Sequence, residues 1–297
     1  MLEQMRSAAA SYHDYVSLES ALQAYLAHVR VRRKASTVRA AEYHAEVLRA
    51  GIGVGFNVAA LRPADLDAFV SARQSKGVPP STINAHLRIL RAALHHAEDA
   101  GKLARAPKVK LLRETRTLPT VVGVEQLKGL LEKCDPDARL AVMLAAHAGL
   151  RHAEILHLQA GDIDLAGGVL MVRAKSWPGG AWSPKAHAER VVPLNSDLAS
   201  ALASTPREGW LFPGQCGQPR TGLYVAVREA FRGAGLYTAR PGLHKLRRTF
   251  ASRLLARGAD VNTVRELGGW ADLTTTQRYL VSSDDAKRAA VNKLIGD

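Results

Sequence analysis

Apolar residues recur at spacings of three and four along most of this chain, while short valine-rich runs stand at two places in its second half. Ser17 is placed to cap a helix whose inward residues are Leu18, Leu22, Tyr25, Leu26 and Val29. A second helix runs from about Ser36 to Ala50 and stops at Gly51, where Gly51 to Gly55 forms a loop. Pro63 suits the first turn of a third helix, with Leu66, Phe69 and Val70 inward. Pro79, Pro80 and Ser81 open a fourth, which carries Ile83, Leu87, Leu90 and Leu94 on one stripe and closes at Gly101. Residues 1–16 are a short lead-in, so residues 1–101 read as a small all-α domain.

Residues 102–118 change character. They hold six basic side chains (Lys102, Arg105, Lys108, Lys110, Arg113 and Arg116) against one acid, Glu114, and predict an extended basic linker. A second domain, 119–297, follows. Its pattern predicts helices at 124–134, 137–148, 196–203, 221–233, 243–257, 260–267, 273–281 and 284–294, with Gly149 as a natural helix stop. The runs 168–173 and 190–194 predict two strands joined as a long hairpin around a loop from Trp177 to Pro184. The fold class expected is mainly α with a small β hairpin or sheet, in two domains.

Composition narrows the partners. The 297 residues carry 41 Lys and Arg against 27 Asp and Glu, a formal charge of +14, and most of the basic side chains are arginine. Arginine's planar fork matches phosphate oxygens better than lysine's point charge does, so a polyanion, with nucleic acid ahead of an acidic membrane, is the expected partner. The excess is shared: residues 1–118 hold 18 basic and 10 acidic side chains, and residues 119–297 hold 23 and 17. Two basic domains suit a protein that grips a duplex from two sides. No apolar run approaches the ~18–20 residues that span a bilayer, and the first residues lack the apolar core of a secretory signal. A cytoplasmic, nucleoid-associated protein is expected. Cys134 and Cys216 follow no metal spacing, the eleven histidines are scattered, and there is no phosphate-binding glycine loop, Cys-x-x-Cys or His-Glu-x-x-His. No cofactor and no metal site is therefore expected.

Candidate chemistry lies in five short motifs. They are Ala148-Gly149-Leu150-Arg151-His152-Ala153-Glu154, then Lys185, His244-Lys245-Leu246-Arg247-Arg248-Thr249-Phe250, Leu267-Gly268-Gly269-Trp270, and Arg278-Tyr279. A DNA phosphate repels nucleophiles, so cleaving it without a metal requires fixed cations where charge accumulates in the transition state. Arg151, just past a helix stop, and Arg247, inside a helix, approach from different elements. His244 and Arg247 are three apart and share a helix face, whereas Leu246, Phe250 and Leu254 mark another face for the core. Tyr279 offers a phenol whose ordinary pKa of ~10 leaves it protonated until neighbours make the oxygen available.

The order and wording of these motifs resemble the tyrosine recombinase family, the phage integrases and their relatives, over nearly the whole chain. The resemblance implies an active site of Arg151, Lys185, His244, Arg247 and Trp270, with Tyr279 as the nucleophile and Glu154 as a supporting acid. Lys185 precedes the Arg-Val-Val-Pro-Leu strand in the family's manner and would protonate the departing 5′ oxygen. Lys175, at the start of the same loop, is its competitor. The implied fold is a helical core-binding domain and a catalytic domain closing on duplex DNA as a clamp, with the basic linker lying along the phosphate backbone. The implied activity is site-specific strand exchange through a 3′-phosphotyrosyl intermediate. That exchange implies a homo-tetramer on double-stranded DNA, to which residues 282–297 contribute a helix docking on a neighbouring protomer. DNA relaxation in the manner of a type IB topoisomerase, and DNA binding without catalysis, are the rival readings.

Overall fold

A computed structural model of the chain describes residues 15–114, 121–184, 189–220, 222–236 and 242–270. The chain divides into two units, Met1–Arg116 and Thr117–Asp297. No described helix is long and apolar enough to cross a membrane.

The first unit is built on helices α1 (Leu18–Arg32), α2 (Ala35–Ile52), α3 (Pro63–Gln74) and α4 (Pro80–Asp99). Ser17 caps α1 as its sequence expects, its hydroxyl oxygen accepting from the Ser20 N–H at 3.1 Å. α4 is the centre: Ile83, Leu87, Leu90 and Leu94 are buried against Leu18, Leu22 and Leu26 of α1 and Ala45 and Leu48 of α2. Gly51 does not end α2, which continues to Ile52 and is closed by Gly53 at φ +100°. Gly51 is needed for another reason, because a Cβ there would lie 2.6 Å from the Phe69 ring.

The segment after α4 is extended but seated. Leu103 and Val109 join the core of this unit, while Lys102, Arg105, Lys108, Lys110 and Arg113 face solvent. Asn84, buried on α4, donates to the Leu112 carbonyl at 3.0 Å and accepts from the Leu112 N–H at 2.7 Å. The described part of the expected linker is thus fixed to the first unit, with apolar side chains inward and cations outward. Arg116 lies outside the described residues.

The second unit packs α5 (Val124–Glu132), α6 (Pro136–His147), α7 (His152–Leu156), α8 (Ser196–Ala203), α9 (Leu223–Gly233), α10 (Leu243–Ala256) and α11 (Val261–Gly268) with two small sheets. α6 is buried on several sides. Its alanines 138, 141, 145 and 146 let neighbouring helices approach, and α10, α9 and α8 all pack on it. Strands β1 (Ile163–Asp164), β2 (Val169–Val172) and β5 (Arg190–Pro193) form an antiparallel sheet in that order, with Leu170 opposite Val192 and Val172 opposite Arg190. The expected loop between β2 and β5 contains a second hairpin, β3 (Lys175–Trp177) and β4 (Gly180–Trp182), which turns at Pro178 and Gly179. An aromatic cluster holds it: His157 stacks on Trp182 at 4.7 Å, and Trp177 meets Trp210 edge-on at 5.1 Å. β1 and the five-residue α7 are too short to show as periodic segments. The expected helices 273–281 and 284–294 lie outside the described residues.

One buried polar pair in the first unit makes stability depend on pH. His44 on α2 and His86 on α4 meet through their Nδ1 atoms at 2.9 Å, and His86 is fully buried. Burial, then the charges of His44 and Arg73, hold the His86 pKa down to about 4. The folded protein therefore resists a proton that the unfolded chain accepts near pH 6.5. Stability is unaffected by this group above that pH, declines as pH falls through it, and levels off near pH 4, a loss of up to about 3 kcal/mol. Denaturant unfolding at pH 7 and pH 4.5 should show the loss, and His86→Phe should shrink the difference.

Candidate active site

The end of α6 and the start of α7 set the first arginine. Gly149 adopts φ +63°, and a Cβ there would fall 2.4 Å from the Phe250 ring, so this tight turn admits glycine alone. Arg151 follows as the N-cap of α7. Glu154, three residues on, accepts from the Arg151 N–H at 2.8 Å and from its Nη1 at 2.6 Å. The offset between these two residues is thus a helix-capping offset as well as a charge pair.

Glu154 is the centre of the site. Only 1% of it is exposed, and Arg190, the first residue of β5, grips it through Nη1 to Oε1 at 3.1 Å and Nη2 to Oε2 at 2.8 Å. Arg247 approaches the same carboxylate at 3.9 Å, which is ion-pair range without a hydrogen bond. Burial alone would raise the Glu154 carboxyl. The hydrogen bonds and charge of Arg190, with the charge of Arg151, outweigh it and bring the pKa down to about 2. Three guanidiniums thus surround one carboxylate, leaving an excess of two positive charges.

Backbone carbonyls fix the arginines further. Arg247 donates to the Gly149 and Gly268 carbonyls, Arg151 to Gly269, and Arg190 to Leu267 at 2.7 Å. These bonds tie the turn before α7 and the turn after α11 to one cationic cluster. The second turn needs its two glycines. A Cβ on Gly268 would fall 1.8 Å from the Trp270 ring, and one on Gly269, at φ +61°, would fall 2.9 Å from Arg190. Trp270 folds back so that the Arg247 guanidinium lies 4.3 Å from its ring centroid, a cation–π contact.

The structure therefore brings Arg151, Glu154, Arg247 and Trp270 together. His244 begins α10 one turn before Arg247 and is exposed. Partial burial of its ring lowers its pKa, and the charges of Arg248, Arg247 and Arg151 push the same way. The imidazole is accordingly neutral at neutral pH. One expectation changes here. Arg247 does not stand on a face opposite the core but is itself almost fully buried, because its charge is met by carbonyls and Glu154. Lys185 and Tyr279 lie outside the described residues.

Sequence reasoning passed over Arg190. Arg190 opens the valine strand, and only its pairing opposite Val172 in the sheet sets it beside Glu154. Sequence reasoning also left open what Lys175 does. Lys175 is buried at the start of β3, and its Nζ donates to Asp162 at 2.7 Å, beside Arg173 on the same carboxylate. Among the described residues no group of three or more His, Cys, Asp or Glu is arranged to hold a metal.

With this geometry in hand, the chain can be set beside known proteins. Residues 121–286 match the model described as the phage integrase family. Tyrosine recombinase XerC of Methylobacterium nodulans is 32% identical, over 88% of this chain and 88% of its own. The XerC of Xanthomonas campestris pv. campestris is 29% identical, over 88% and 83%. The Tn1549 transposon integrase in complex with transposon right end DNA shares the fold at a TM-score of 0.74 and 20% identity, covering 95% of this chain and all of that one. A lambda integrase dimer bound to a COC′ core site does so at 0.74 and 16%, covering 92% of this chain and 79% of that one.

Removing the carboxylate should be costly, because it strands three inward cations. Glu154→Ala should lose about 3–5 kcal/mol of unfolding free energy, and Glu154→Gln less, since the amide oxygen still accepts. Denaturant unfolding of the two variants beside the wild type measures this.

Proposed function

The chain belongs to the phage integrase family, and from that premise we propose that Arg151, Lys185, His244, Arg247, Trp270 and Tyr279 act on one DNA phosphate, with Tyr279 as the nucleophile. The enzyme is a site-specific DNA recombinase that breaks and rejoins strands. The observation that supports the residue assignment is the Glu154-centred cluster, in which Arg151 and Arg247 come from separate elements and converge with an excess of positive charge. Such a cluster has little use in a plain core, where burying cations costs several kcal/mol each. It suits a transition state whose charge spreads over the nonbridging oxygens.

In the proposed step the Tyr279 phenol oxygen attacks phosphorus as it loses its proton, and the bond from phosphorus to the 5′ oxygen breaks. The phenolic proton passes to the neutral imidazole of His244. The departing 5′ oxygen takes a proton from Lys185. The product is a 3′-phosphotyrosyl strand and a free 5′-hydroxyl. Attack by a 5′-hydroxyl from the partner duplex runs the step backwards and frees Tyr279. One phosphoester is exchanged for another, so the rejoining requires no nucleotide hydrolysis. Trp270 buttresses Arg247 through its ring, and Glu154 orients the cations. Four strand cuts in two duplexes call for four protomers, hence a tetramer on double-stranded DNA, working at the nucleoid.

Two experiments test this. A nicked duplex carrying the bound sequence should trap a covalent protein–DNA adduct with wild type and none with Tyr279→Phe. Recombinant products from two such sites separate strand exchange from DNA relaxation, and absence of any adduct would leave a DNA-binding protein.

The lysine assignment has its own test. A 5′-bridging sulfur leaves without help from an acid, so it should restore cleavage to Lys185→Ala. If it restores Lys175→Ala instead, the proton comes from Lys175, which must then leave Asp162.

A further inference from the structure

We propose that Arg190 is a positioning residue that balances the charge of Glu154 and so keeps Arg247 on the Gly149 and Gly268 carbonyls, the position from which it serves the scissile phosphate; this rests on the reading of the site given above. A carboxylate has about four lone-pair positions. On Glu154 all four are taken: two by the N–H and Nη1 of Arg151, and two by the fork of Arg190. Arg247 is the next cation, 3.9 Å from Oε2, and its Nη atoms bond the Gly149 and Gly268 carbonyls instead.

Without Arg190, two acceptor positions on a buried, ionised carboxylate stand open beside Arg247. A short rotation would let Arg247 fill them. Its charge would then be spent on Glu154 and its donors turned from the phosphate. The side chain of Arg190 is 7% exposed and its Nε is committed to the Leu267 carbonyl, so its donors are turned into the cluster. Its task is met by charge and by two-pronged geometry together, which lysine supplies only in part.

The test measures adduct formation in a single turnover, with unfolding midpoints and DNA affinity recorded beside it. Arg190→Gln should slow adduct formation by about 10- to 100-fold while DNA affinity changes less than threefold. Arg190→Lys should fall between. The decisive arm is the double variant. In a Glu154→Gln background there is no carboxylate to capture Arg247, so adding Arg190→Gln should cost less than about threefold. An equal loss in both backgrounds would reduce Arg190 to a structural strut and overturn the proposal, as would an unimpaired Arg190→Gln. Should Arg190→Gln fail to fold, the same comparison with Arg190→Lys decides. A wild-type protein that forms no adduct would overturn the functional reading, and this inference with it.

Discussion

One ionised, buried carboxylate is what the cluster of the second unit is arranged around. Glu154 is nearly inaccessible to solvent yet stays charged, its pKa brought down to about 2 by the arginines that bond it. The interaction works in both directions. Three guanidiniums gathered from α7, β5 and α10 would repel one another in a medium of low dielectric, and none could be buried alone. With Glu154 among them they form a network whose donors are met by the carboxylate and by carbonyls of Gly149, Leu267, Gly268 and Gly269. The glycines are part of the same constraint. The Gly149, Gly268 and Gly269 carbonyls can reach an arginine because these residues have no side chain where Phe250, Trp270 or Arg190 already stands.

Much of the first unit could be read from periodicity. The stripe Ile83, Leu87, Leu90 and Leu94 is the centre of its core, and Ser17 caps where a serine before an apolar run should. Gly51 reads as a helix stop because a glycine inside a helix is indistinguishable in sequence from one that ends it. Its reason is a neighbour, Phe69, that is close in space and eighteen positions away in the chain. The hairpin β3–β4 reads as loop in the sequence for a like reason. Pro178, Gly179 and Gly180 are loop residues by composition, and what makes strands of their flanks is the packing of Trp177 and Trp182 on His157 and Trp210.

The site shows the same division. The motifs gave residue types and order, and the three-residue step from His244 to Arg247 follows from helix geometry. The core face of that helix follows too, with Leu246 and Phe250 buried, but the burial of Arg247 does not, since an arginine scores as polar wherever it stands. Its burial depends on acceptors from three other segments. Arg190 was invisible for the complementary reason. It opens a strand whose valines explain the strand, and only the pairing of Val172 with Arg190 brings it beside α7.

The two lysines illustrate how burial assigns work. Asp162 is fully buried and bonds the Lys175 ammonium, the Arg173 guanidinium and the Gln159 N–H. Taking Lys175 away would leave that carboxylate with one cation, itself half exposed, so Lys175 already has a structural duty at the base of the hairpin. A general acid must release its proton to a leaving group and then recover it, which favours a side chain free to move. The arginines have the opposite requirement. A fixed charge stabilises most when nothing has to reorganise around it, and the Arg247 guanidinium is held by two carbonyls beside the Glu154 carboxylate. The cluster around Glu154 and the Lys175–Asp162 pair are therefore alike: in each, a buried carboxylate holds the cations around it in place.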